Sequence, residues 1–276
     1  MKVGLIGLGY WGTILLKNLQ KHFEFEICTC DTDNEKADFQ DYKQLSNSSK
    51  IFITTPVKEH NEICRHFLSF GVNVFCEKPL VMSSIEATDL YKLTKNNNCL
   101  LFVDWIFTFN NQVNLIKSLV KKQTYGKLKS ISMSRQNLGP VRSDVTAKYD
   151  LASHDVSIVL YILDELPFRT NWIGYKRNKD SITNDSCHGL MQFHDITVQI
   201  NASWHYGKKD RLCIFEFEKG FLTWEDNSNK FFINKENLFQ EGSPPLLNSI
   251  NAFMEGHDNQ ELTINTLKVL EHENSF

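Results

Sequence analysis

The feature that most constrains this chain is its beginning. Lys2 to Ile6 is a short apolar run of strand length. It leads directly into Gly7-Leu8-Gly9-Tyr10-Trp11-Gly12, and a helical pattern follows from Thr13 to His22 with Ile14, Leu15, Leu16 and Leu19 apolar. The spacing has a chemical reason. Gly7 permits a tight turn, Gly9 lets the backbone approach a pyrophosphate, and Gly12 lets the helix pack close to the sheet. The free N–H groups and the positive end of the helix dipole then face the phosphates. Glycines alone often mark ordinary turns. Here they stand between a strand and a helix, and a second strand, Phe25 to Cys30, ends in Asp31, where an acidic side chain would accept hydrogen bonds from an adenosine ribose. The pattern specifies a dinucleotide site.

The following residues keep the same rhythm. Lys50 to Thr54 reads as a buried strand and Glu59 to Phe70 as a helix closed by Gly71. Val72 to Cys76 is a strand, Ser83-x-x-Glu86 is a capping box opening a helix to about Lys95, and Cys99 to Val103 is a further strand. Between Asp31 and Lys50 there is only one short helical candidate, Tyr42 to Leu45. Alternating strands and helices predict a doubly wound parallel sheet. From about Gly126 the rhythm changes. Lys127 to Gln136, Arg169 to Arg177, Cys187 to His194, Thr197 to His205, Leu212 to Glu218 and Phe221 to Trp224 are strand-like, and Asp150 to Leu163 is the one convincing helix among them. Pro244 to His272 is helical again, with a break at Gly256. The expected architecture is an N-terminal Rossmann domain, residues 1–120, and a C-terminal α+β domain, residues 121–276, whose mostly antiparallel sheet leaves one face open.

Composition excludes several partners. The 276 residues carry a net charge of −3 with no block of like charges, so neither nucleic acid nor an anionic membrane is expected to bind. No apolar run approaches the ~18 residues of a membrane span. The N-terminal run has one Lys before it and no small-residue cleavage site, unlike a signal peptide. Seven scattered cysteines form no C-x-x-C pair, which fits a reducing cytoplasm. Strand alternation puts Cys187 opposite His188 and His194, so no metal site is expected. The aromatic stretch Trp105 to Phe109 reads as packing between the domains.

Two clusters could carry chemistry. Glu77-Lys78-Pro79 ends a predicted parallel strand, where such sheets place ligands, and the proline restrains the backbone that carries Lys78. In Tyr149-Asp150-Leu151-Ala152-Ser153-His154-Asp155, Asp150 and His154 are four apart, on one face if the helix begins there. A carboxylate beside an imidazole fixes its tautomer and stabilises its cation, as a general base requires. Taken singly, each cluster also fits an ordinary surface lysine and a capped helix histidine.

These motifs, with Thr55-Pro56-x-x-x-His60, Gly71 to Leu80, Trp204…Lys208-Lys209-x-Arg211, Glu218 to Trp224 and Pro245 to Phe253, resemble the glucose–fructose oxidoreductase / inositol dehydrogenase / MocA (Gfo/Idh/MocA) family, in the family's order along nearly the whole chain. The resemblance implies a nicotinamide-dependent sugar or polyol oxidoreductase. It maps the cofactor site onto Gly7, Gly9, Tyr10, Trp11, Gly12, Asp31, Thr55, Pro56, His60, Glu77 and Lys78. It maps catalysis onto Lys78, Asp150 and His154, with Arg142 beside them among the substrate-binding positions. Asn137 to Arg142 resembles a version near carbohydrate synthesis, a hint of a nucleotide-activated sugar; inositol is the other substrate expectation. The family usually has a fuller helix and another strand between Asp31 and Lys50. The short segment here bears on cofactor affinity.

The cofactor expected is NAD rather than NADP. Asp31 and Asp33 would repel a 2′-phosphate, and no Lys or Arg lies between Asp31 and Glu35. A homodimer or homotetramer is expected from the family and from the apolar content on both alternation sets of the late strands. Two other classes stay open: a non-catalytic nucleotide-binding sensor or scaffold, and a lyase or glycosidase that recycles its bound cofactor.

Overall fold

The computed structural model describes residues 1–228 and 230–272. They form two compact units. One is Met1–Ile106 with Leu246–Ile264; the other is Phe107–Pro245 with the described residues from Asn265 onward. This division cuts the chain earlier than the boundary at 120/121 drawn from sequence and returns a late segment to the first unit.

The first unit holds a parallel sheet of β1 (Lys2–Ile6), β2 (Glu26–Cys30), β3 (Lys50–Ile53), β4 (Asn73–Cys76) and β5 (Leu101–Val103), in the order β2-β1-β3-β4-β5. Its strands are apolar because both faces are covered: Val3, Leu5, Ile51, Phe52, Ile53, Val74, Phe75, Phe102 and Val103 are all fully buried. Helices α1 (Tyr10–His22), α2 (Val57–Ser69) and α3 (Ser84–Asn97) follow β1, β3 and β4. Ser83 caps α3, its hydroxyl accepting from the Ile85 amide at 3.2 Å. No helix joins β2 to β3. Phe39 instead bridges Cys30 on the outer side of β2, and a single 3-10 turn, Tyr42–Leu45, precedes β3. The late segment completes this core. Phe253 packs its ring against Phe52, Phe75 and Phe102, and the Asn259 side chain bonds both the N–H and the C=O of Val103 on the edge strand.

The second unit holds an eight-stranded sheet. Its strands are β6 (Leu128–Leu138), β7 (Arg169–Tyr175), β8 (Ser186–Phe193), β9 (Ile196–Ser203), β10 (His205–Phe217), β11 (Gly220–Glu225), β12 (Lys230–Ile233) and β13 (Glu236–Asn237). Their order is β13-β12-β11-β10-β6-β9-β8-β7. All pairs are antiparallel except β6 with β9. The mostly antiparallel sheet expected from sequence has this one parallel pair because a helical segment between β6 and β7 carries the chain across before the β7-β8-β9 meander. β12, β13 and α4 (Asn111–Lys121) were not anticipated from sequence, and β10 begins earlier than expected. One sheet face carries the buried set Met133, Phe215, Leu222 and Trp224; the other exposes Ile173, Leu190 and Phe221. The remaining helices are α5 (Ser153–Leu163), α6 (Pro245–Met254) and α7 (Gln260–Glu271). No helix among the described residues is long and apolar enough to cross a membrane.

Candidate functional site

The glycine turn is built as its spacing requires. Gly7 has φ +92°, a conformation that disfavours a side chain, and its amide donates to Cys30 O at 2.8 Å. The Thr54 hydroxyl donates to Gly7 O at 2.7 Å. A Cβ on Gly12 would lie 2.0 Å from Gly7 O, so α1 can begin this close to β1 only without one. A Cβ on Gly9 would meet nothing within 4 Å, which leaves open space over the turn. The first-turn amides of Tyr10, Trp11 and Gly12 lie before the first helical bond, Thr13 N to Gly9 O at 3.0 Å, and so present donors at the positive end of α1. Tyr10 is exposed, and the Trp11 indole Nε1 is buried with no hydrogen-bond partner among the described residues.

Asp31 closes the same loop from β2. Its Oδ2 accepts from the Leu8 amide at 2.6 Å and its Oδ1 from the Asp33 amide at 2.9 Å. Each oxygen keeps a further lone pair, so the carboxylate can tie down the glycine turn and still accept from a ribose. Thr55, after β3, places a buried hydroxyl with no partner among the described residues. This orphaned acceptor–donor, the open space at Gly9 and the amides of α1 fit the phosphate-and-ribose portion of a dinucleotide.

Pro56 precedes α2, and His60 lies on its inner face, 1% exposed. The two ring nitrogens of His60 stand 2.8 Å from Thr55 O and 3.0 Å from Pro79 O. The ring thus ties the loop after β3 to the loop after β4. His60 is placed to fix the backbone of both loops.

At the end of β4, the Glu77 amide donates to Ile53 O at 2.9 Å, and Glu77 Oε2 accepts from the Lys78 amide at 3.2 Å. Burial pushes the Glu77 carboxyl well above its usual range, Asp104 adds to the rise, and Lys78 opposes it. Sequence reasoning missed Asp104. Its signal was a single acid in an otherwise apolar run, Leu100 to Phe107.

The second unit carries Arg142, Asp150 and His154. The helix expected from Asp150 begins differently: Lys148–Ala152 is wound as a π-helical turn that runs into α5. Asp150 therefore sits in the wider turn and His154 in the α-helix proper, and a simple four-residue repeat does not describe the pair. Asp150 Oδ2 accepts from the Trp204 indole at 3.0 Å, and its Oδ1 lies 3.7 Å from Arg142 Nη1. Arg142 also grips Asp144 through Nε at 3.0 Å and Nη2 at 2.7 Å, holding that carboxyl below the usual range. The His154 ring meets Phe107 edge-on, centroids 5.0 Å apart.

Beneath His154 lies a buried charge cluster that the sequence did not reveal. Arg135, on β6, donates from Nε and Nη2 to Asp155 Oδ1, both at 2.8 Å, and from Nη1 to Asp226 at 3.0 Å. Its guanidinium also covers the Phe107 ring, 4.4 Å from the centroid. The aromatic stretch 105–109 thus has two destinations. The Trp105 indole donates to Thr263 at 2.9 Å within the first unit, and Phe107 packs on His154, Trp224 and Arg135 within the second.

Comparison with known proteins follows the same outline. Residues 1–105 match a family model described as an oxidoreductase family with an NAD-binding Rossmann fold, GFO_IDH_MocA. Myo-inositol 2-dehydrogenase of Thermotoga maritima is 25% identical over 186 residues, 60% of this chain and 55% of that one. 2,7-Anhydro-N-acetylneuraminate hydratase of Escherichia coli is 23% identical over 192 residues, 62% of this chain and 52% of that one. The chain spans about half the length of these relatives. In fold, the structure of UDP-N-acetylglucosamine 3-dehydrogenase from Acidithiobacillus ferrooxidans superposes with a TM-score of 0.86 at 17% identity, over 98% of this chain and 95% of that one.

Proposed function

We propose that this chain, whose residues 1–105 match the Gfo/Idh/MocA oxidoreductase family model, is a member of that family and moves a hydride between NAD and a secondary alcohol carbon of a sugar or polyol. The match over residues 1–105 is to an oxidoreductase family with an NAD-binding Rossmann fold, and it supports this reading; the activity, the sugar substrate and the residue roles are our proposal. The observation that carries it is the glycine turn, where Gly12 can have no Cβ and Gly9 opens onto free space, joined to that family match.

NAD, when bound, supplies the site that accepts or returns the hydride. The residues of this chain do the rest. The α1 amides, Asp31 and Thr55 hold the phosphates and ribose. His154 takes the proton from the substrate hydroxyl, and Asp150 orients it. Lys78 hydrogen-bonds the substrate oxygen and stabilises negative charge as it develops. Arg142 assists in binding substrate. In this reading residues 1–120 hold the cofactor, and residues 121–276 hold the substrate and the contacts between subunits.

The likeness to a nucleotide-sugar dehydrogenase in fold and to an inositol dehydrogenase in sequence leaves two substrate classes to separate. A screen of nucleotide sugars, free sugars and inositols with NAD, read at the absorbance of reduced nicotinamide, tests the reading. Turnover of one class supports it; no absorbance change with any class, in either direction, overturns it. A second reading is favoured by the likeness to a hydratase: the cofactor is reduced and reoxidised within one cycle. It is distinguished by product formation without release of reduced cofactor.

A further inference from the structure

Two acids meet at the carboxyl end of the first unit's sheet. Asp104 follows β5, is 1% exposed, and has its amide bonded to Cys76 O at 2.9 Å. Its Oδ1 accepts from the Ser249 hydroxyl on α6 at 2.6 Å. Glu77 follows β4, with its Oε2 on the Lys78 amide. The other two oxygens, Glu77 Oε1 and Asp104 Oδ2, are buried and meet no N–H or hydroxyl donor among the described residues. Cys76 and Val103 pair in adjacent parallel strands, so Glu77 and Asp104, the next residue of each, are neighbours on the same side of the sheet. A carboxylate is an acceptor only, so a hydrogen bond between two carboxyl groups requires a proton on one of them. Two ionised carboxylates in contact and out of water would repel, and burial adds to the cost.

We propose that Glu77 and Asp104 hold a single proton between them, and that Asp104 is a positioning residue acting through Glu77 on Lys78. This rests on the reading of Lys78 as the residue that stabilises charge on the substrate oxygen. Among the described residues, these charged or titratable groups act on the pair. Lys78 interacts electrostatically with both acids, and the buried thiol of Cys76 lies beside Glu77 with Cys64 behind it; α6 contributes the uncharged Ser249. With one proton the pair carries one negative charge, matched by the Lys78 ammonium. Lys78 then faces one negative charge from the pair rather than two, and the strength of that attraction sets where its ammonium rests. Loss of the shared proton at high pH would double the negative charge and draw Lys78 toward the acids. Burial raises both carboxyls, which places that loss above the ordinary carboxylate range.

The structure also explains why the proton needs two partners. Ser249 can donate to only one Asp104 oxygen, and the Lys78 amide serves only one Glu77 oxygen. The shared proton satisfies the remaining oxygens, which would otherwise be buried acceptors without donors.

The test uses the full chain without substrate first. Infrared spectra at neutral pH should show the carbonyl stretch of a protonated carboxyl in the native protein. The band should be lost in Asp104→Asn, whose amide can donate to an ionised Glu77, and in Glu77→Gln, whose amide can donate to an ionised Asp104. A native protein without the band, or a band that survives in both variants, overturns the shared proton. This readout does not depend on turnover, so it stands apart from the assignment of a sugar substrate. The second readout is the pH profile of kcat/KM with whichever substrate the screen identifies. The alkaline limb should move by ~1 pH unit or more in Asp104→Asn. A lowered kcat with the alkaline limb unmoved would overturn the positioning role and leave Asp104 a purely structural acid.

Discussion

Replacing Arg135 by Met removes one guanidinium and strands two acids. Arg135 is 2% exposed, and the Asp155 and Asp226 side chains are 1% and 8% exposed. Asp155 Oδ2 already has no hydrogen-bond partner among the described residues, so its hydrogen bonds all come through Oδ1, and Arg211 adds only a weaker electrostatic attraction. Methionine keeps much of the apolar stem, so the loss is chiefly the charge and its bonds. Removing one partner of a buried ion pair costs about 3–5 kcal/mol. At about 2–4 °C per kcal/mol for a domain of this size, the expected fall in Tm is about 6–20 °C. The penalty should depend on pH. Burial raises the Asp155 carboxyl, and Arg135 is the main group opposing the rise. An acid whose folded pKa is raised favours the fold when protonated, and stability is lost as pH rises from the unfolded value through the folded one. Without Arg135 the folded value climbs further, so Arg135→Met should be mildest near pH 4–5 and most costly at pH 7–8. Urea melts at both ends of this range, followed by tryptophan emission, provide the assay. Asp155→Asn added to Arg135→Met should recover part of the loss at pH 7–8 and little at low pH. A loss below about 1 kcal/mol, the size of an exposed pair, would refute the claim that this cluster is desolvated. A loss equal at both pH values would refute the assignment to stranded carboxylates.

Three further outcomes are expected. His154→Asn should lower kcat and kcat/KM together by roughly 10²–10⁴-fold and abolish the acid limb of the oxidation profile; a rise in KM alone, with the limb kept, would transfer the base to Lys78. Gly12→Ala forces a Cβ to within 2.0 Å of Gly7 O, so α1 must move outward. Calorimetric titration should show NAD binding weakened by at least ~10-fold, because the displaced amides no longer meet the phosphates; unchanged affinity would mean that the turn does not hold the cofactor. Ile173, Leu190 and Phe221 on the open sheet face are 55%, 47% and 56% exposed, and we expect them to be covered by a second subunit. Sedimentation should give a dimer or tetramer at micromolar concentration, and Phe221→Lys should shift it toward monomer; a native monomer would refute this.

Much of the first unit was legible in the sequence because its signals are local. Gly7, Gly9 and Gly12 are required by conformation and close approach within one turn, and Asp31 ends the strand beside β1. Apolar runs of strand length alternating with capped helices predict a parallel sheet because each strand must bury both faces. The segment after Asp31 was also readable as short, and the structure shows Phe39 and a 3-10 turn where a helix would otherwise stand. The second unit was less legible. Alternation tells which face of a strand is buried but names neither its neighbour nor its direction, so the parallel pairing of β6 with β9 was invisible. The four residues of β12 and the two of β13 are too short for periodicity to register.

The sequence by itself determined the glycine turn, the sheet that carries it, and the residue types available for chemistry. Those follow from dihedral limits and from the periods of strand and helix, which act over a few residues. Only the tertiary structure decided what each candidate touches. It put Trp204 on Asp150, Phe107 on His154, Asp104 with Ser249 beside Glu77, and Arg135 between Asp155 and Asp226. In every case the partners are distant in the chain, and the interaction exists because folding has removed the water that would otherwise have solvated each group separately. The charge state of a buried acid is therefore a property of its neighbours, which no local pattern contains.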